Sequence, residues 1–340
     1  MRRIAALAAA LAFAAPVAAQ AQMSLMAYAG IFRDNYTATV VTPFAPNVQY
    51  VEGGTSAQML GTLRAQRADP QVDVVIMDVT TASIACQEGL VERIDPAAFP
   101  IVNELDQLAR DAGGACGPAV TYDHLVLVYD TRNVPQRPEG FSVLWDPQHR
   151  GRIALSAPPN IQGLALTAIL AHSTTGDWRN PAEAFPRLRQ LAPSVQTFDP
   201  NPDGYTLILN DQVRFATGWN ARAQLYHDQS QGRIGVVLPA EGTVFQINTI
   251  NIVANAKNRA RAAAFFNHAL SAPVQAAFTE RMFYGPTNSR AQPNPAALAR
   301  TALAPEFRSR VIPVDWTHMV TLRDNWNQRW RREVIAASGR

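Results

Sequence analysis

Residues 73–91 read DVVIMDVTTASIACQEGLV. After Asp73 the run to Met77 is unbroken apolar, which suits a strand covered on both faces rather than one with a solvated side. A helix is expected over 82–88, and Gly89 is placed to stop it. Upstream, Gly53-Gly54-Thr55-Ser56 precedes Met59, Leu60, Leu63 and Arg67. That is helical spacing with a Ser or Thr cap. Residues 24–29 read as a strand turning at Gly30, 31–44 as helical, and 47–51 as a second strand. Strand–helix alternation at this spacing predicts an α/β architecture with a mainly parallel sheet.

The alternation repeats downstream. Strands are expected over 124–129, 152–155, 214–219, 234–238 and 248–254, with helices over 162–172 and 181–191. From Arg259 onward the pattern turns helical, over 262–266, 273–282, 295–302 and 317–332. No internal repeat interrupts it. A chain of 340 residues exceeds what one core comfortably holds, so two α/β lobes with a helical C-terminal tail are expected.

The first twenty-odd residues stand apart. Arg2 and Arg3 precede an apolar run over 4–15, Pro16 breaks it, and Ala19-Gln20-Ala21 has small residues where a signal peptidase cuts. The run is too short for a bilayer, which needs roughly 20 residues. A signal peptide over 1–21 is therefore expected, with an exported, periplasmic product that does not insert in the membrane. The formal charge of +3 resides largely in this segment, and the other arginines are scattered. Nucleic-acid binding, which needs clustered charge, is not expected. Export also gives meaning to Cys86 and Cys116. An oxidising compartment favours their pairing over two buried free thiols, and no His or Cys lies at metal spacing. A bridge across this loop would contribute about 3–4 kcal/mol.

The order of segments resembles the extracellular solute-binding proteins of ABC importers, the group that includes polyamine-, iron- and phosphonate-binding members. The resemblance is carried by Gly54-Thr55-Ser56, Asp73-Val74-Val75, Glu88-Gly89-Leu90-Val91 and the stretch 117–123 leading to Tyr129-Asp130-Thr131. Further carriers are 142–147, Glu241-Gly242-Thr243, 254–258, 272–275, 284–288 and 323–330. It implies a type II periplasmic-binding-protein fold, with lobe one over 22–128 plus 246–340 and lobe two over 129–245. It also implies ligand capture in the interlobe cleft, closure about hinges near 128 and 246, and delivery to a membrane permease.

Ligands of parallel sheets sit beyond the strands' C-terminal ends, where helix N-termini present free N–H groups. The turns there nominate Gly30, Phe32, Thr55, Ser56, Asp78, Thr80, Tyr122, Asp123, Asn160, Trp219, Asn220, Gln246 and Asn248 as ligand-binding residues. Asp78 would pair with an ammonium group or cap a helix. Trp219, Phe32 and Tyr122 would stack on ligand or pack in the core. Asp123 would equally cap a turn, and His124 be an interior polar group. Against the polyamine-binding pattern, Gln246 and Asn248 are neutral, as is 156–160. A dication would lack a carboxylate at each end, so a smaller amine or amino compound is favoured. Ferric iron is the alternative ligand, although Tyr226 is the only tyrosine after Trp219-Asn220 within that region. A periplasmic sensor of the same fold is a second reading and an exported hydrolase a remote one. Neither a Gly-x-Ser-x-Gly elbow nor a His-Glu-x-x-His helix occurs, so no enzyme, catalytic residue, metal or cofactor is expected.

Overall fold

The computed structural model describes residues 22–44 and 47–339, so the expected signal peptide lies outside the described residues. The scaffold is built on strands β1 (Met23–Ala27), β2 (Val48–Glu52), β3 (Val74–Asp78), β4 (Ala119–Asp130), β5 (Ile153–Ala154), β6 (Val195–Thr197), β7 (Phe215–Trp219), β8 (Ile234–Val237) and β9 (Phe245–Ile252). Their order is β2-β1-β3-β9-β4-β7-β5-β6, with β8 also on β4. β1 lies parallel to β2 and β3, whereas β9 runs antiparallel between β3 and β4. Val74 to Met77 are fully buried, as a strand with helices on both faces requires.

One strand joins the two halves. β4 pairs with β9 from Ala119 to His124, then with β7 and β8 from Leu125 onward. All twelve of its residues are buried. It begins five residues before the expected 124–129, and β9 begins before the expected 248. Both strand starts carry polar residues at alternate positions, as a strand with one polar face does. Thr121 registers with Asn248, and Asp123 with Gln246, so these four share one face. Tyr122, Asp123, Gln246 and Asn248 thus stand within strands, not on the turns where they were expected.

Three helices escaped the sequence reading: Gln107–Ala112, Gly204–Leu209 and Asn220–Gln229. So did the three-residue β6. The tail is helical over Trp316–Arg329 and continues as a π-turn, Trp330–Ile335. It packs on the 129–245 segment at its far end, while its first turns also meet the Val79–Gln87 helix of the other half. The Trp330 indole donates to Thr167 Oγ1 at 2.8 Å, Trp326 meets Phe185 edge-on, and the Arg329 guanidinium lies 3.9 Å over Phe185. Cys86 and Cys116 form a disulfide, tying the end of the Val79–Gln87 helix to the loop before β4. Among the described residues no helix is long and apolar enough to cross a membrane.

Candidate functional site

Five helices begin at one cleft. Ile31–Tyr36 follows β1, Ser56–Ala65 follows β2, and Val79–Gln87 follows β3. From the other half come Ile161–Thr175 after β5 and Asn220–Gln229 after β7. Each starts where its strand ends, so free N–H groups gather around a common space. The local sequence explains each start. Gly30 takes φ 63°, a left-handed turn that glycine adopts without strain. Thr55 and Gln58 form a capping box, Asp78 accepts from the N–H groups of Thr80 and Thr81, and Asn160 accepts from Gln162.

The enclosed space measures about 570 Å³ and is lined from both halves. Of the nominated residues, Phe32, Thr55, Ser56, Asp78, Thr80, Asp123, Asn160, Trp219, Gln246 and Asn248 line it. Three others are placed elsewhere. Gly30 is exposed and serves the turn. Tyr122 faces away from the cleft, since its neighbour Asp123 occupies the cleft side of the strand. Its ring stacks on Phe245 and its hydroxyl donates to Asp106 Oδ1 at 2.8 Å. Asn220 is buried, with its amide donating to the carbonyls of Phe283 and Arg300.

The first wall is a chain of hydrogen bonds. The Asp78 N–H donates to Ser56 Oγ at 3.0 Å, and the Ser56 hydroxyl meets Tyr28 Oη at 2.8 Å. Tyr28 donates to Asn248 Oδ1 at 3.0 Å, which also accepts from Gln246 Nε2 at 2.7 Å. The Asn248 amide in turn donates to Thr121 Oγ1 at 3.0 Å. Burial and the charge of Asp78 both push the Tyr28 hydroxyl well above its usual range, so it stays a donor. The Asp78 carboxylate is occupied as a cap. Oδ1 accepts both N–H groups and the Thr80 hydroxyl, and Oδ2 accepts from Thr81 at 2.7 Å.

Asp123 is different. It is 2% exposed on the cleft floor, and its Oδ1 accepts from Ala221 N–H at 3.0 Å and His124 N–H at 2.8 Å. Oδ2 has no hydrogen-bond partner among the described residues. Burial pushes this carboxyl up to about 7, against the opposing pull of those N–H groups.

The sequence reading missed part of the lining. Tyr28 sits at the end of β1, where the run 24–29 already placed it beside the cleft. Arg222 follows Trp219 by three residues, one turn into a helix that was not expected. Trp316, Met319, Val320 and Arg323 recur at i, i+3, i+4 and i+7 and present one face of the tail helix to the cleft. The helix was expected, but nothing in its sequence said which face looked at ligand. The lining therefore holds a partly free buried carboxylate, two guanidinium groups and the aromatic side chains of Tyr28, Phe32, Trp219, Tyr284 and Trp316.

Comparison with known proteins adds the following. A family model described as bacterial extracellular solute-binding protein matches residues 36–305. A gamma-aminobutyric acid-binding protein of Pseudomonas aeruginosa is 25% identical over 297 residues, covering 82% of this chain and 80% of that one. A spermidine/putrescine-binding periplasmic protein of Escherichia coli is 27% identical over 276 residues, covering 79% and 75%. In fold, the chain is similar to an ABC transporter substrate-binding protein of Bradyrhizobium japonicum, with TM-score 0.77, 18% identity, and 91% and 99% coverage.

Proposed function

The chain belongs to the bacterial extracellular solute-binding family, and from that premise we propose that it is the substrate-binding component of an ABC importer. It captures a small amino compound carrying both an ammonium and a carboxylate group and delivers it to a membrane permease. The observation that carries the ligand class is the charge arrangement. Asp123 lines the cleft as a buried carboxylate held by main-chain N–H groups, with no side-chain hydrogen-bond partner among the described residues, while Arg222 and Arg323 line the same space. An ammonium group at Asp123 would sit among aromatic rings that favour cations. A carboxylate would be met by a guanidinium and by helix N-termini. A long polyamine fits less well, because the neutral Gln246 and Asn248 stand where a second carboxylate would be needed. The relatives' ligands, gamma-aminobutyric acid and polyamines, support an amine of this size range.

The reading is of binding rather than catalysis. The one cleft serine, Ser56, spends its hydroxyl on Tyr28 and the Asp78 N–H, without a histidine base. Residues 1–21 act as a cleaved export signal, and the protein works in the periplasm. Lobe closure turns on β4 near the change of partners at His124 and Leu125, and on the 238–245 connection. Native mass spectrometry of purified protein followed by calorimetric titration tests the ligand class. Gamma-aminobutyric acid, putrescine and spermidine form the first panel. Stronger binding of the diamines than of any amino acid would refute the zwitterion reading.

A further inference from the structure

A second cavity of about 580 Å³ shares its walls with the cleft. β4 gives Asp123 to the cleft but His124 and Tyr129 to this groove. The Asn220–Gln229 helix gives Arg222 to the cleft, while Asn220, Gln224 and His227, a stripe at i, i+4 and i+7, face the groove.

We propose that this groove is a second binding site, for a small organic carboxylate with a hydrogen-bonding group at its far end. His124 marks one end. It is 3% exposed, and neither ring nitrogen has a hydrogen-bond partner among the described residues. The ring lines the groove, so a ligand group lying there would supply its nitrogens with the partner that the protein does not. Burial keeps the ring neutral, its pKa lowered to about 3, so it offers one donor and one acceptor.

Arg137 and Tyr129 mark the other end. Arg137 is exposed and forms no ion pair among the described residues. Its hydrogen bond there is a 3.5 Å contact to the Val236 carbonyl. Arg137 and Tyr129 line the same groove. The Tyr129 ring lies flat on β8 because residue 235 is glycine; a Cβ there would come within 2.1 Å of the ring. A guanidinium beside a free hydroxyl seats a carboxylate well. Glu306 on the rim opposes a doubly charged anion, which favours carboxylate over phosphate. Val236, Leu238 and Phe307 supply apolar wall between the two ends, and the volume lies within the usual range for small-molecule sites.

The test is histidine- and tryptophan-selective NMR of the whole exported protein, titrated with 3-(4-hydroxyphenyl)propanoate to about 10 mM, enough to reveal millimolar affinity. The His124 ring signals should move while the Trp219 indole signal stays in place. Arg137→Ala should abolish the movement without changing the melting temperature, since the side chain is exposed. Tyr129→Phe should weaken binding several-fold. A stationary His124 signal at the top of the titration would overturn the proposal. So would movement that survives Arg137→Ala, or that is accompanied by equal movement of Trp219.

Discussion

Replacing Asp123 by asparagine should stabilise the fold and abolish ligand capture at the same time. Desolvation raises this carboxyl from 3.8 to about 7. At about 1.4 kcal/mol per unit, the folded state disfavours the ionised form by up to about 4 kcal/mol. The sign follows from proton uptake: between about pH 4 and 7 the folded state holds a proton that the unfolded chain has lost. The stabilisation present below pH 4 is therefore lost as pH rises through about 7. His124 acts in the opposite direction over an overlapping range, because its burial lowers its pKa to about 3. Comparing the variant with the parent isolates Asp123, since both keep His124. Asparagine can still accept the Ala221 and His124 N–H groups, so the loss of charge is the main change. Thermal melts at pH 5 and pH 8 should show the smaller gain at the lower pH, where about 1.6 kcal/mol of the penalty is already present. At pH 8 the variant should melt higher by up to roughly 8 °C for a chain of this size. Calorimetry with the ligand identified by mass spectrometry should show at least a hundredfold weaker binding, as expected when a buried ammonium loses its counter-charge. In the parent, affinity should fall by up to tenfold per unit below about pH 7. A melting difference that does not change between pH 5 and 8 would refute the electrostatic account of the floor.

Asp78→Ala should cost about 1–2 kcal/mol of stability through lost capping, with a smaller effect on binding than Asp123→Asn; chemical denaturation and titration would measure both. Trp219→Ala, if its ring anchors the ligand, should weaken binding by about 2 kcal/mol or more in the same calorimeter. Joint replacement of Cys86 and Cys116 by alanine should lower stability by about 3–4 kcal/mol in urea melts while leaving a folded protein, because the core is large. Small-angle scattering should give a smaller radius of gyration with ligand, and an unchanged radius at saturation would argue against lobe closure.

The parts of the fold that announce themselves in the sequence are those whose burial is uniform. Val74 to Met77 face helices on both sides, so the chain there is unbroken apolar and its assignment is unambiguous. The paired crossing strands are harder to see. At Thr121, Asp123, Gln246 and Asn248 the sheet exposes a polar face to the cleft, and that face breaks the hydrophobic run. Local pattern reports a turn where tertiary context makes a strand. The Asn220–Gln229 helix is hidden for a related reason: its inner positions are Asn220, Ala221 and Ala223, small or polar residues that leave no apolar stripe.

The same physics governs the site. Positions fixed by backbone geometry, the helix starts at Thr55, Asp78 and Asn160, could be read from capping residues and strand ends alone. Which chemistry each contributes could not. Asp78 is an acid at the mouth of a cleft, yet four hydrogen bonds from its own helix turn already occupy its oxygens. Asp123, which looked equally suited to a turn, keeps one oxygen free at the point where the two halves of the sheet meet. A carboxylate there senses both halves, because Ala221 belongs to one and the β9 partner Gln246 to the other. An arriving ammonium group would remove the penalty of its burial and thereby favour the closed arrangement. Specificity and closure would thus depend on the same oxygen, and a residue whose ionisation destabilises the empty protein would serve the loaded one.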